Sequence, residues 1–131
     1  MMRINRISAF VTLAASAAAV IGIAGPASAA ESCPSGQVCL YYNSGEEGSY
    51  AHWSTPGDYD LFNYTFGNYG NGSGYGQVVG NNAASVTNNT GETVDILSTA
   101  NGVWYEIPSG YSGNFATDYP ELYNKDGDLL L

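Results

Sequence analysis

The chain has 131 residues, of which 13% are aromatic and 11% are charged, and its formal net charge is −9. This length predicts a single domain, and the aromatic content excludes a disordered acidic tail, which would be poor in such residues. The scarcity of Lys and Arg argues against nucleic-acid binding, because phosphate contacts need cationic side chains. One His and two Cys leave few ligands for a conventional zinc site.

The first 29 residues have the pattern of a cleaved secretory signal peptide. Two arginines precede an apolar run over 7–24, and Ala27-Ser28-Ala29 supplies small residues for cleavage after Ala29 or Ala30. The alternative is a membrane anchor, since the run approaches the roughly 20 residues that a spanning helix needs. The alanine-rich composition and the cleavage motif favour the signal peptide, so the segment 1–29 predicts a secreted, extracellular protein.

Cleavage leaves one domain over 30–131 with a strongly acidic surface. Arg3 and Arg6 leave with the signal peptide, so Lys125 is the only fixed positive side chain against twelve carboxylates. Such a surface repels nucleic acid and anionic membranes, and it favours cationic partners or metal ions. We therefore expect a monomer that contacts neither nucleic acid nor, after cleavage, a membrane.

Cys33 and Cys39 predict a short disulfide loop near the start of the mature chain. Disulfides persist outside the cell, and closing so small a loop contributes about 2 kcal/mol in the chain-entropy model. A metal site is the alternative, but the two cysteines are spaced more widely than in most metal motifs. The spacing therefore favours a structural disulfide.

Short strand-forming runs, separated by Gly, Asn and Pro, follow this loop. No apolar helical period continues for three turns, so the pattern predicts an all-β sandwich or barrel. A glycine-rich segment over 67–76 is predicted to be a long, mobile surface connection, in which Tyr69 and Tyr75 are candidate contact residues. The predicted strands cover 38–42, 50–53, 58–66, 93–97 and 103–107.

The residues do not form a recognisable catalytic set. A Ser–His–Asp triad would need His52, the only histidine, and no G-x-S-x-G motif is present. Neighbouring carboxylates such as Glu46 and Glu47 are predicted to be solvated turn residues rather than a glycosidase pair. The sequence therefore predicts a protein that is not an enzyme.

The segment Cys33-Pro34-Ser35-Gly36-Gln37-Val38-Cys39-Leu40-Tyr41 resembles the opening C-P-x-G-x-x-C-x-Y of a family of secreted actinobacterial peptidase inhibitors. This family is typified by the Streptomyces metalloproteinase inhibitor. The segment 82–88, with Ser85 and Asn88, is similar to a second family feature, A-x-S-x-x-N. The resemblance implies a βγ-crystallin-like fold of two Greek keys and a role in blocking an extracellular peptidase, of the metallopeptidase class.

The resemblance also implies an inhibitory segment in the second half of the chain. The metalloproteinase inhibitor braces its exposed loop with a second disulfide, for which this chain has no cysteines. By order along the chain, the corresponding residues are Trp104, Tyr105, Glu106 and Ile107. The alternative is that they form a core strand and its turn.

Many crystallin-like domains bind Ca²⁺ through an N/D-N/D-x-x-S/T-S segment. Asn81, Asn82 and Ser85 resemble this pattern, with Val86 in place of the last Ser. Oxygen ligands suit Ca²⁺, but the two amides lack the carboxylate that such a site often has, so we expect weak Ca²⁺ binding and no other cofactor. The alternatives are a turn in which these side chains bond the backbone and, for the whole chain, a non-inhibitory Ca²⁺-binding or surface-recognition module.

Overall fold

The computed structural model describes residues 32–131, and the all-β prediction is confirmed for them. One turn of α-helix, α1 (Phe115–Asp118), and turns of 3-10 helix at Leu61–Asn63 and Pro120–Leu122 join the strands. The predicted signal peptide and its cleavage positions lie outside the described residues. The strands are β1 (Val38–Asn43), β2 (Glu47–Trp53), β3 (Asp58–Asp60), β4 (Ser85–Asn88), β5 (Val94–Ser98), β6 (Trp104–Ile107), β7 (Ser112–Asn114) and β8 (Asp126–Leu130).

Two four-stranded antiparallel sheets face each other, with the orders β2–β1–β4–β7 and β3–β8–β5–β6. Each half of the chain gives three strands to one sheet and one strand to the other. Strand β3 of the first half lies in the second sheet, and β7 of the second half lies in the first. The two Greek keys are therefore interlocked through exchanged strands.

One apolar core fills the space between the sheets. Strand β5 alternates between Val94 and Ile96, which are fully buried, and Asp95 and Leu97, which are half-buried. This period of two is what a strand with one buried face requires. Its partners in the core include Leu40, Phe66, Val86, Phe115, Leu122 and Leu129.

The predicted strand over 58–66 ends earlier than the sequence suggested. Only Asp58–Asp60 pairs with β8, and the chain then enters a turn of 3-10 helix at Leu61. The Asp60 side chain accepts a hydrogen bond of 3.0 Å from the Phe62 backbone N–H. A capping carboxylate of this kind starts a helical turn, which is why the extended run stops there.

The Cys33–Cys39 disulfide is confirmed, with a Cα–Cα distance of 5.9 Å. Together with Tyr41 and Tyr50 it forms a second buried cluster. The Tyr69 ring from the glycine-rich segment stacks on Tyr50, with 4.5 Å between centroids and 22° between planes. The segment 67–76 is therefore packed on the first sheet, and Tyr69 is part of that packing.

Close backbone contacts explain the glycines of this segment. The Ser49 backbone N–H donates to the Ser73 carbonyl at 2.9 Å, which covers the outer edge of β2. Gly74 has a φ of +84° and lies against the Tyr42 ring, where a Cβ would clash. Only glycine tolerates both conditions without strain.

Within residues 32–131, no helix reaches the length and apolar character needed to cross a membrane.

Candidate functional site

The predicted inhibitory segment is strand β6, the outer strand of the second sheet. Its side chains alternate: Tyr105 and Ile107 enter the core, whereas Trp104 and Glu106 are half-buried on the opposite face. The segment therefore forms a strand, and its outward side chains are the ones that a partner can contact.

Hydrogen bonds hold β6 from several directions. The ladder with β5 pairs Leu97 with Trp104 and Val94 with Ile107. From outside this ladder, the Tyr119 hydroxyl donates to the Glu106 carbonyl at 3.0 Å. These contacts order the segment without the second disulfide that braces the corresponding loop of the metalloproteinase inhibitor.

Hydrogen bonds also hold the turn that leads into β6 in place. Ser98 Oγ donates to the Glu121 carbonyl at 2.7 Å and accepts from the Ala100 N–H at 3.0 Å. Asn101 Oδ1 accepts from the Val103 N–H at 3.0 Å, and its Nδ2 donates to the Tyr105 hydroxyl at 2.9 Å. The strand and its turn thus form one pre-organised unit.

The Ca²⁺ candidates Asn81 and Asn82 lie in the turn before β4, and both side chains bond within the protein. Asn81 has a φ of 65°, and its Oδ1 accepts from the Thr99 hydroxyl at 2.7 Å. Asn82 Nδ2 donates to the Val78 carbonyl at 2.8 Å. The left-handed conformation at Asn81 is typical of a turn residue.

The third candidate, Ser85, is completely buried at the start of β4. Its hydroxyl donates to the Asn43 carbonyl at 2.7 Å and accepts from the Glu46 N–H at 3.0 Å. Ser85 therefore pins the β1–β2 turn to β4. A buried hydroxyl satisfied in this way is a structural anchor.

A polar cleft of about 250 Å³ lies beside this turn. Asn82 is the one Ca²⁺ candidate that lines this cleft, and Asn81 and Ser85 are not among its lining residues. Within 32–131 no group of three His, Cys, Asp or Glu side chains is arranged to hold a metal ion. Ca²⁺ binding at Asn81, Asn82 and Ser85 stays a prediction. The cleft is lined by Tyr42, Asn43, Ser44, Asn82, Ala84, Tyr123 and Asn124.

Asn88, the last residue of the second family-like motif, joins β4 to two segments of the second half of the chain, the loop at 90–92 and the end of β6. It is completely buried, and its Nδ2 donates to the Glu92 and Ile107 carbonyls, each at 2.9 Å. Its Oδ1 accepts from the Thr90 N–H at 3.0 Å and from the Thr90 hydroxyl at 2.6 Å. Asn88 thereby fixes the end of β6 through its hydrogen bond to the Ile107 carbonyl.

Asp126 is a buried carboxyl that the sequence did not single out. Its Oδ1 accepts from the Ala83 N–H at 3.1 Å, and its Oδ2 is buried without a hydrogen-bond partner. Burial raises the pKa of Asp126 well above its usual value, although backbone N–H groups such as that of Ala83 oppose the shift. In the sequence it resembles a loop aspartate, because Gly127 and Asp128 follow it.

His52, the one candidate for a catalytic base, is exposed on β2. Its Nε2 lies 3.4 Å from the Tyr69 hydroxyl, and its ring lies 5.8 Å from that of Tyr50.

In the β1–β2 turn, burial and then the charge of Glu47 raise the pKa of Glu46. These groups belong to the packing around the glycine-rich segment and the turn.

Comparison with known proteins finds one family and one fold. A family model described as peptidase inhibitor family I36 matches residues 26–103, which ends one residue before Trp104. A solved structure from work on the evolution of the eye lens βγ-crystallin domain fold matches with a TM-score of 0.54 and 14% identity. That match covers 83% of this chain and 91% of the other, and it confirms the βγ-crystallin-like fold. No curated protein matches the chain in a sequence search.

Proposed function

The chain belongs to peptidase inhibitor family I36, and from this premise we propose that it binds an extracellular peptidase and blocks it without catalysing a reaction. The family match over 26–103 is the observation that carries the proposal, and it covers the disulfide loop and the buried anchors Ser85 and Asn88. The target class is a metallopeptidase, in line with the resemblance of the opening motif.

We assign the contact with the peptidase to the outward side of β6. It is the edge strand of its sheet, and edge strands pair readily with partners, although the Tyr119 hydroxyl already bonds the Glu106 carbonyl on that side. Trp104 is the apolar residue of the segment that faces outward, and Glu106 lies beside it on the same face. Because β6 is already ordered by hydrogen bonds, little conformational entropy is lost on binding.

The proposal includes secretion and action as a monomer. The disulfide between Cys33 and Cys39 supports secretion, because such bonds persist in oxidising compartments. The acidic surface supports the monomer, because like-charged copies repel each other.

Titration of the purified mature chain against metallo-, serine and cysteine peptidases tests the function. We expect stoichiometric loss of activity of a metallopeptidase, with the chain recovered uncut on a denaturing gel. Trp104→Ala should weaken inhibition, whereas Tyr75→Ala should not, although Tyr75 is an exposed aromatic side chain, at 60%. If every peptidase keeps its full activity at micromolar concentrations of the protein, the proposal is wrong.

A further inference from the structure

The second sheet turns one face to the core, and its other face carries an ordered mixture of acidic and apolar side chains. The strand registers align eight outward residues in two rows across the four strands. The first row is Asp58, Leu130, Asp95 and Glu106, and the second row is Asp60, Asp128, Leu97 and Trp104. We call these eight residues the outer face.

Burial shows which way these side chains point. Ile96 of β5 and Leu129 of β8 are fully buried in the core. Their neighbours Asp95 and Asp128 are half-buried, and Leu130 is 42% exposed. Because successive side chains of a strand alternate between faces, the acidic residues lie together on the side away from the core.

Five of the eight residues are carboxylates and none is basic. Neighbouring strands lie about 4.8 Å apart, so four strands span roughly 15 Å. This span is less than two Debye lengths at physiological salt, about 8 Å each. An approaching charged protein therefore experiences the five carboxylates together.

This arrangement lowers the stability of the folded chain. Asp60 lies directly opposite Asp128, and Asp95 lies directly opposite Glu106. Like charges in such cross-strand positions are destabilising. Desolvation, followed by the charges of Asp58 and Asp60, raises the pKa of Asp128. A local cost of this kind is typical of surfaces that serve a function other than folding.

We propose that the outer face is the surface through which the chain docks onto a positively charged surface of its target peptidase. The cross-strand pair Leu97 and Trp104 packs against an apolar part of the same surface. This inference rests on the proposed inhibition and goes beyond it, because it extends the contact from β6 to the whole outer face and assigns the charge of the partner.

Charge complementarity selects this partner over a second copy of the chain. Another copy would present the same negative face, and the one fixed positive side chain among the described residues, Lys125, precedes β8. A basic protein surface interacts favourably with all five carboxylates, and steering of this kind accelerates association by roughly ten- to a thousandfold.

The test removes three charges from the outer face in one variant, Asp58→Asn, Asp60→Asn and Asp128→Asn. Asn at position 60 keeps a side-chain oxygen that can accept from the Phe62 N–H, so the cap at the end of β3 is retained. The matched control removes three charges elsewhere, from exposed carboxylates, as Glu47→Gln, Glu92→Gln and Glu121→Gln.

The readouts are the association rate constant with the inhibited peptidase, at low and high salt, and the urea unfolding midpoint. We expect the face variant to associate about tenfold more slowly at low salt, with a smaller difference at high salt. Its unfolding midpoint should rise, because opposed like charges have been removed. The control should associate within about twofold of the unmodified chain, because its charges lie outside the contact.

Three results would overturn the inference while leaving the inhibition intact. The first is an association rate constant of the face variant equal to that of the unmodified chain. The second is equal slowing of the two variants, which would indicate net charge alone. The third, from melting temperatures measured with and without Ca²⁺, is a Ca²⁺-induced rise that the face variant loses while its association is unchanged, which would indicate a cation site. If the unmodified chain inhibits no peptidase at all, the proposed function fails, and the inference fails with it.

Discussion

Replacing Asn88 by Ala should cost the folded protein a large part of its stability. The substitution removes two donors to the Glu92 and Ile107 carbonyls and one acceptor for the Thr90 N–H and hydroxyl. The Thr90 hydroxyl has one proton, and without Asn88 Oδ1 it donates to the Glu92 carbonyl, which lies 2.9 Å away. The Thr90 N–H and the Ile107 carbonyl each lose a buried partner that water cannot easily replace.

The expected magnitude follows from these two groups. A buried polar group left without its partner costs about 1–3 kcal/mol, so the two together should lower the free energy of unfolding by about 3 kcal/mol. For a domain of this size, such a loss lowers the melting temperature by roughly 15 °C. Since small domains are stable by only about 5–15 kcal/mol, the variant should remain folded at room temperature with a much reduced margin.

Urea unfolding followed by tryptophan fluorescence measures the loss. Asn89→Ala is the matched control, because Asn89 is the exposed neighbour and donates one hydrogen bond, to the Cys33 carbonyl at 2.7 Å. It should cost no more than about 1 kcal/mol. If Asn88→Ala and Asn89→Ala lower the unfolding free energy equally, Asn88 does not anchor the fold as we argue.

Three further predictions concern the disulfide, the buried carboxyl and Ca²⁺. Replacing Cys33 and Cys39 by Ser should lower the unfolding free energy by about 2 kcal/mol in urea titrations; an unchanged midpoint would contradict the assignment. Because the pKa of Asp126 is raised in the folded state, its protonated carboxyl contributes to the free energy of unfolding below the pKa of the unfolded chain. This contribution is lost as pH rises through the pKa of the folded state. Urea titrations from about pH 3 to 8 should therefore show Asp126→Asn gaining stability over the unmodified chain as pH rises; a constant difference would refute this. Ca²⁺ bound at the segment 81–85 should raise the free energy of unfolding by about 2.7 kcal/mol at a hundredfold excess over Kd, and the melting temperature with it. Equal melting temperatures in EDTA and in Ca²⁺ would rule the site out.

The strands that could be predicted from the sequence are those whose buried side chains are apolar. Val38, Leu40, Val94, Ile96 and Ile107 recur at every second position, and the strands containing them lie close to the predicted ranges. The two cysteines and the opening motif also predicted the fold and the family, which the comparisons confirm.

Strands β4, β7 and β8 could not be predicted, because their burial does not follow hydrophobicity. All four residues of β4, Ser85–Asn88, are buried, although only Val86 is apolar. Hydrogen bonds to distant backbone groups compensate the polar ones, and such partners are invisible in a single sequence. In β8, Asp126 is buried, although the sequence Asp126-Gly127-Asp128 is typical of a loop.

The segment 104–107, predicted to be inhibitory, falls on one strand, and its inhibitory role stays a prediction. The sequence could not tell that Tyr105 is buried and Trp104 faces outward. The outer face needs the registers of four strands, of which β3 comes from the first half of the domain and the other three from the second. Asp58 and Asp60 alternate with Tyr59, and this period of two was the available signal for an acidic strand face.

The position of β8 has a consequence for the order in which the two sheets can form. The strand Asp126–Leu130 lies between β3 and β5, so the second sheet has a gap at its centre until β8 is in place. In a chain that is synthesised with its N-terminus first, β3, β5 and β6 are all present before the strand that joins them. Closure of the second sheet therefore waits for β8, whereas β2, β1 and β4 of the first sheet can pair earlier.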